Sequence, residues 1–402
     1  MATRRDVLRW GLSAGALAAA LPGISFATAG GSARLVVVIL RGALDGLTAV
    51  PPYGDDAYAA ARGPLAIERP GAAKGALELD GFFGLHPALE GLHERWQARE
   101  LLVVHATASP YRERSHFDGQ NVLESGGEHP SGAASGWLNR ALAALPTSAG
   151  QGLALGQNVP LILRGPAPVG SWAPSALPEV EPELVSRLRD LYSNDTTLSA
   201  RLDEATRIGA LADEENGADP AARRAMTKGG NVERLKAIAD TAGRMLAAAD
   251  GPRVAVMDAG GWDTHAGEGG AEGQLAGRLR VLDDVLDALR AGLADAWARS
   301  AVLVCTEFGR TVEINGTRGT DHGTGAAALL VGGAVRGGRV LAAWPGLAPQ
   351  HRYQGRDLNP TTDLRAVAKG VLADHLRVAR RALGDVFPGS ERLAPATDLI
   401  RA

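Results

Sequence analysis

Apolar residues run almost without alternation through Arg34–Leu40, Glu100–Ala106, Arg253–Met257, Ala301–Cys305 and Ala326–Val331. Short runs rich in Val, Ile and Leu predict strands buried on both faces of a sheet. Elsewhere the apolar spacing changes to three and four. His86–Gln97, with Leu89, Leu92 and Trp96 on one face, predicts a helix. Leu275–Trp297 predicts a long one, packed through Leu279, Leu282, Leu286, Leu289 and Leu293. Ser115 is placed to cap a helix, with Asp118 three positions on. Ser135–Leu145 and Thr362–Leu376 predict two more helices, the second capped by Thr361 or Thr362. Leu153–Arg164 reads as one or two strands around Pro160, and residues 52–80 as irregular chain. Residues 175–250 interleave charges with Leu, Ile and Ala at helical spacing, broken near Asn194, Gly217 and Gly229. They predict a mainly helical insertion or cap. Strands alternating with helices predict an α/β fold whose central sheet is mostly parallel and flanked by helices.

The first 29 residues follow a different rule. Arg4 and Arg5, with Leu8 and Arg9 behind them, precede the modest apolar stretch Gly11–Leu21 and an Ala-x-Ala at Ala27–Ala29. This pattern predicts a twin-arginine signal peptide cleaved after Ala29, with the remainder, from residue 30, as one domain. The translocase of that route is then a transient partner, and the mature protein works in the periplasm or outside the cell. The stretch is shorter than the roughly 20 apolar residues a span requires, so no stable membrane span is expected. The twin-arginine route carries folded cargo, often with a metal or cofactor already bound.

Composition narrows the field. A formal charge of −3 and the lack of a long basic run argue against a nucleic-acid partner. Cys305 is the only cysteine, which excludes an intrachain disulfide and a cysteine-based metal cluster. No Gly-x-Gly-x-x-Gly follows a strand and no Walker pattern is present, so dinucleotide and nucleoside-triphosphate readings lose their support.

The polar segments that flank the apolar runs hold the chemistry. Loops at the C-terminal ends of parallel strands meet along one sheet edge. Asp45, His116, Asp118, Asp263, His265, Glu307, Asp321 and His322 all lie in such segments and are expected to converge. Asp45 reads equally as a strand-tip ligand or as a helix cap or turn former in Asp-Gly. Asp263 and His265, two apart in extended chain, point to one side, and carboxylate plus imidazole suits zinc, manganese or iron. Asp321 and His322 can both turn inward from a glycine-rich loop. Glu307 is a ligand or general base, and Arg310 a clamp for an anionic oxygen or half of a buried ion pair. Arg41 and Arg114 are further anion holders. Ser115 is a helix cap or a nucleophile at a helix N-terminus that favours anions, with His116 beside it as ligand or acid.

Taken together, Leu-Arg-Gly-x-x-Asp-Gly at 40–46, Tyr-Arg-x-Arg-Ser-His-Phe-Asp at 111–118, Gly-Trp-Asp-Thr-His at 261–265, Thr-Glu-Phe-Gly-Arg-Thr at 306–311, Gly-Thr-Asp-His-Gly at 319–323 and Thr-Thr-Asp-Leu-Arg at 361–365 resemble the domain of unknown function 1501 family. That family is placed by fold in the alkaline phosphatase-like superfamily, with the sulfatases. The resemblance implies an alkaline phosphatase-like sheet and a metal-dependent enzyme acting on small phosphate or sulfate esters. It maps the strand-tip carboxylate to Asp45, the nucleophile to Ser115, the ligand loop to Asp263 and His265, and the late histidine to His322. The superfamily commonly has Asp-His where this chain has Glu307-Phe308, which favours a single metal over two. The ligand set expected is Asp45, Asp263, His265, Glu307, Asp321 and His322, with Ser115, His116 and Arg310 as catalytic groups. The competing reading is an exported binding or assembly protein that keeps the fold, has a degenerate site and associates with an exported partner.

Overall fold

The computed structural model describes residues 33–130, 133–145, 152–174, 182–216 and 231–401. The signal segment read at 1–29 lies outside them. Nine strands form the main sheet: β1 (Arg34–Arg41), β2 (Leu101–Ala108), β3 (Gly152–Leu155), β4 (Val169–Trp172), β5 (Val254–Gly260), β6 (Ser300–Thr306), β7 (Ala326–Val331), β8 (Arg339–Leu341) and β9 (Thr362–Asp363). Their order is β8-β2-β7-β6-β1-β5-β3-β4, with β9 also on β2. β1 is central and parallel to both neighbours, pairing Val38 with Met257 and with Val304. β7 alone runs antiparallel, to β2 on one side and β6 on the other. The α/β architecture and mostly parallel sheet expected from the apolar runs are therefore present.

Side chains alternate across the strands, so both faces are buried. Leu35, Val37 and Ile39 of β1 join Leu303, Trp137, Leu138, Val367 and Val371 on one face. That face is covered by α5 (Trp137–Ala143) and α10 (Leu364–Asp374). Val36, Val38 and Leu40 meet Leu92, Leu246, Leu279 and Leu286 on the other. Here the cover is α3 (Glu90–Gln97), α8 (Asn231–Ala247) and α9 (Gln274–Leu293). The remaining helices named here are α1 (Gly46–Ala49), α2 (Tyr58–Arg62), α4 (His116–Ser125), α6 (Pro182–Tyr192) and α7 (Thr196–Asn216). Among the described residues, no helix is long and apolar enough to cross a membrane.

Several boundaries differ from expectation. Only Gly152–Leu155 of the Leu153–Arg164 region is a strand; Leu161–Leu163 beyond Pro160 is a 3-10 turn, and the sheet continues instead through Val169–Trp172. The long helix ends at Leu293, where Ala294 takes φ 45°. The closing helix is capped by Asp363, whose carboxylate accepts from the Arg365 N–H, not by Thr361 or Thr362. Residues 182–216 and 231–247 are helical, as their spacing indicates. Ile208, Ala212, Ala239 and Met245 from this stretch are part of the core.

Candidate metal centre

The C-terminal ends of β1, β2, β5 and β6 share one edge of the sheet. Because β7 is antiparallel, the segment that precedes it, with Asp321 and His322, reaches the same edge. Backbone bonds extend the β6–β7 pairing there: Gly309 N–H donates to Thr324 O (2.9 Å), and Thr311 N–H to Asp321 O (2.9 Å). His116 arrives at the start of α4, where Ser115 is the N-cap and its hydroxyl accepts from Asp118 N–H. Asp263 and His265 stand just beyond β5. Gly42, after β1, takes φ +118°, and an added Cβ would lie 2.6 Å from Asp263 N. Only glycine admits both that torsion and that approach.

Three donor groups, His116, Asp263 and His322, lie within 4.8 Å of one another, and His265 borders two of them. His322 Nε2 lies 2.9 Å from His116 Nε2 and 2.9 Å from His265 Nε2. Asp263 Oδ1 is 3.0 Å from His265 Nε2 and 3.3 Å from His322 Nε2, while its Oδ2 is 3.5 Å from His116 Nε2. Each imidazole is fixed from behind through Nδ1: His116 to Glu307 Oε1 (2.8 Å), His265 to Asp321 Oδ1 (3.2 Å) and His322 to the Arg114 carbonyl (2.8 Å). Carboxylates and carbonyls only accept, so the proton of each neutral ring sits on Nδ1. Three Nε2 lone pairs and a carboxylate therefore face one another.

Such an arrangement is repulsive unless a cation lies among the donors. It is also the outer-shell pattern that orients histidine ligands in metal sites. Among His116, Asp263 and His322 the separations of 2.9–3.5 Å match the edge, about 3.3 Å, of a tetrahedron with the 2.0–2.1 Å bonds typical of zinc, and His265 adjoins this trio through His322 and Asp263. The charge agrees as well. Asp263, Glu307 and Asp321 face the imidazoles, and Arg310 Nη1 donates to Asp263 Oδ1 (2.6 Å). Three carboxylates against one guanidinium leave two negative charges, the complement of a divalent ion.

The surroundings keep these charges in place. Burial pushes the Asp263 carboxyl up, but Arg310, then His265 and His116, outweigh it and lower its pKa. Burial acts the same way on Glu307, which is nonetheless held low by hydrogen bonds from His116, its own backbone, Gln120 and Gly42. The Asn315 amide lowers Asp321. The Glu307 bond raises His116, whereas burial, with the charges of His116 and Arg310, lowers His322. Phe308 stacks on the His116 ring at 5.0 Å and is itself buried.

The expected site residues thus divide. Asp263 and His322 come together with His116, and His265 adjoins them. Glu307 and Asp321 lie behind two of the histidines. Arg310 holds Asp263 and bonds to Thr320, so it is committed and not an open anion clamp. Ser115 serves as cap, and Asp118 is exposed.

Asp45 does not reach the cluster. It caps α1, accepting from Leu47 and Thr48 N–H, and forms a fully buried ion pair with Arg62. Arg62 also donates to the Thr311 and Val312 carbonyls. Glu268, pushed up to about 8 by burial and then by Asp45, completes this group and accepts from Thr264 (2.9 Å) and Thr320 (2.7 Å). It braces both ligand loops from beneath. Arg62, Glu268 and the Arg114 carbonyl were not visible from sequence spacing: Glu268 and Arg114 lie in irregular chain, Arg62 ends the short helix α2 inside a stretch whose sequence shows no period, and each acts through a distant partner.

The family model described as "Protein of unknown function (DUF1501)" matches residues 32–387. The chain belongs to the DUF1501 family. No curated protein matches it. Among solved structures, this DUF1501 member has a likeness to the phosphonate monoester hydrolase of Agrobacterium radiobacter, at 11% identity and a TM-score of 0.34, over 77% of this chain and 70% of that one. A likeness of that degree assigns no chemistry to this chain.

Proposed function

We propose that the protein is a metal-dependent hydrolase of a phosphate- or sulfate-type ester, with His116, Asp263, His265 and His322 as the metal ligands. The observation that carries this reading is the convergence of three Nδ1-anchored imidazoles and one carboxylate. The ester class follows from the superfamily that the motifs resemble. A divalent ion bound there supplies Lewis-acid polarisation of an ester oxygen and acidifies water. The residues do the rest: Glu307, Asp321 and the Arg114 carbonyl fix ring orientation and tautomer, and Arg310 fixes the Asp263 carboxylate. Asp263 and His265 keep 40% and 45% of their side-chain surface exposed, so substrate and water have access. The N-terminal signal read at 1–29 adds the compartment: we place the enzyme in the periplasm or outside the cell.

Titration of the chelator-treated protein with zinc, manganese or iron(II) tests the centre. About one equivalent of a tightly held ion is expected, as for a His/Asp zinc set. The double variant Asp263→Ala, His265→Ala is expected to lose the ion and any turnover on a panel of aryl phosphates, phosphonates and sulfates. Retention of the ion by that variant would sink the ligand assignment.

A further inference from the structure

The three arginines that the motifs offered as anion holders are all committed. Arg310 is bound to Asp263, Arg41 to Glu124 and Asp258, and Arg114 to Asp357. Arg278 is different. Its guanidinium lies over Gly261, where an added Cβ would come within 2.2 Å of Nη1. Its Nε is buried and has no hydrogen-bond partner among the described residues. Arg278 lines a cavity of about 400 Å³ between β5, α8 and α9, walled by Leu235, Met257, Val281, Val285 and Trp262. That volume falls within the ~300–1,000 Å³ typical of small-molecule sites, which are apolar with a few placed polar groups. The Trp262 side chain is 97% buried by its 3% exposure, and its indole N–H is likewise without a partner. Both nitrogens have almost no accessible surface, so a ligand in the cavity would meet the terminal guanidinium nitrogens of Arg278, which form no salt bridge among the described residues. Asp258, on the same wall, pairs at 3.0 Å with Arg41, which it shares with Glu124.

We propose that this cavity binds an organic anion with an apolar body, its charged oxygen held by the Arg278 guanidinium. Trp262 precedes the ligand Asp263 directly, so the cavity is the organic-group subsite of the metal centre. The subsite role rests on the metal reading; the binding does not. A hydrocarbon-bearing ester is then preferred over inorganic phosphate or a sugar phosphate.

Gly277 supplies the test. It lies on the cavity wall in α9, and an added Cβ there meets nothing within 4 Å. Gly277→Leu therefore has room for its Cβ and adds bulk at the cavity wall. Calorimetry would compare decanoate with decanol on the full chain, both chelator-treated and zinc-loaded. Decanoate is expected to bind about tenfold or more tightly than decanol, the value of one charged hydrogen bond. Arg278→Gln should remove that preference and leave decanol unchanged. Gly277→Leu should abolish binding of both, with its unfolding midpoint retained. Decanoate that fails to bind, or that binds Gly277→Leu as well as the parent, overturns the proposal. Zinc binding measured on the same samples separates the readings: zinc without decanoate refutes the cavity alone, and decanoate without zinc refutes the metal centre alone.

Discussion

At the scale of single residues, two carboxylates that sequence treats alike have opposite roles. Glu307 touches a ligand, His116, and is supported by Gly42 and Gln120. Glu307→Gln removes the charge that fixes the imidazole but keeps the shape, so metal affinity should fall by ~10–100-fold, with little loss of stability. Asp45 touches no ligand and pairs with Arg62 in full burial. Asp45→Ala strands a buried guanidinium and should cost ~3–5 kcal/mol of stability, leaving metal affinity intact in the folded fraction. Metal titration alongside urea unfolding of both variants checks this, and matching profiles would contradict it. His105 sets an acid limit. Its Nε2–H donates to Val50 O and its Nδ1 accepts from Ala106 N–H, so both nitrogens are satisfied only in the neutral ring. Burial lowers its pKa to about 4. The unfolded chain, near 6.5, binds the proton first, so stability falls as pH drops from about 6.5 to about 4 and levels off below, by at most ~3 kcal/mol. Urea midpoints across that range should flatten in His105→Gln; parallel curves would refute the assignment. The sequence placed Asp263, His265 and His322 correctly on one edge because strand ends are legible from apolar runs. It could not separate Asp45 from them, since Arg62, the partner that claims Asp45, ends the short helix α2 in a stretch that the sequence reads as irregular.

At the scale of elements, what was legible was the presence of strands and helices, and what was hidden was direction and contact. β1, β2, β5, β6 and β7 announce themselves as apolar runs. β4, Val-Gly-Ser-Trp, is too short and too polar to show a period. Nothing in Ala326–Val331 states that β7 runs antiparallel, yet that orientation alone delivers His322 to the site. The close packing of α8 on α9 is equally silent. A Cβ on Gly292 would lie 2.0 Å from Asp240 O, and one on Gly243 2.6 Å from Leu289 O. Helix propensity favours Ala over Gly by ~1 kcal/mol. Here backbone contact opposes it, because carbonyls in packed helices cannot move aside cheaply. Gly292→Ala should therefore destabilise the protein and speed proteolysis within α8. A raised melting temperature would show that the helices are not in this contact.

At the scale of the whole molecule, a metal ion held as proposed would act as a staple. The proposed ligands come from the start of α4, the loop after β5 and the segment before β7, the first two separated by more than a hundred residues. Nothing holds them together in the unfolded chain, so binding energy adds to folding energy, by RT ln(1 + [L]/Kd) for one site. At a free ion concentration of 100 times Kd this is ~2.7 kcal/mol, and each further tenfold adds ~1.4 kcal/mol. Without a cation, two uncompensated negative charges and three convergent lone pairs oppose the folded arrangement, so chelation should act in the same direction. The unfolding midpoint in urea is therefore expected to rise steadily with zinc and to drop in chelator. The Asp263→Ala, His265→Ala variant should show neither response, since two of the four donors are gone. A zinc-independent midpoint in the parent would mean that the four groups do not share an ion. An equal response in the variant would mean that the ion binds elsewhere.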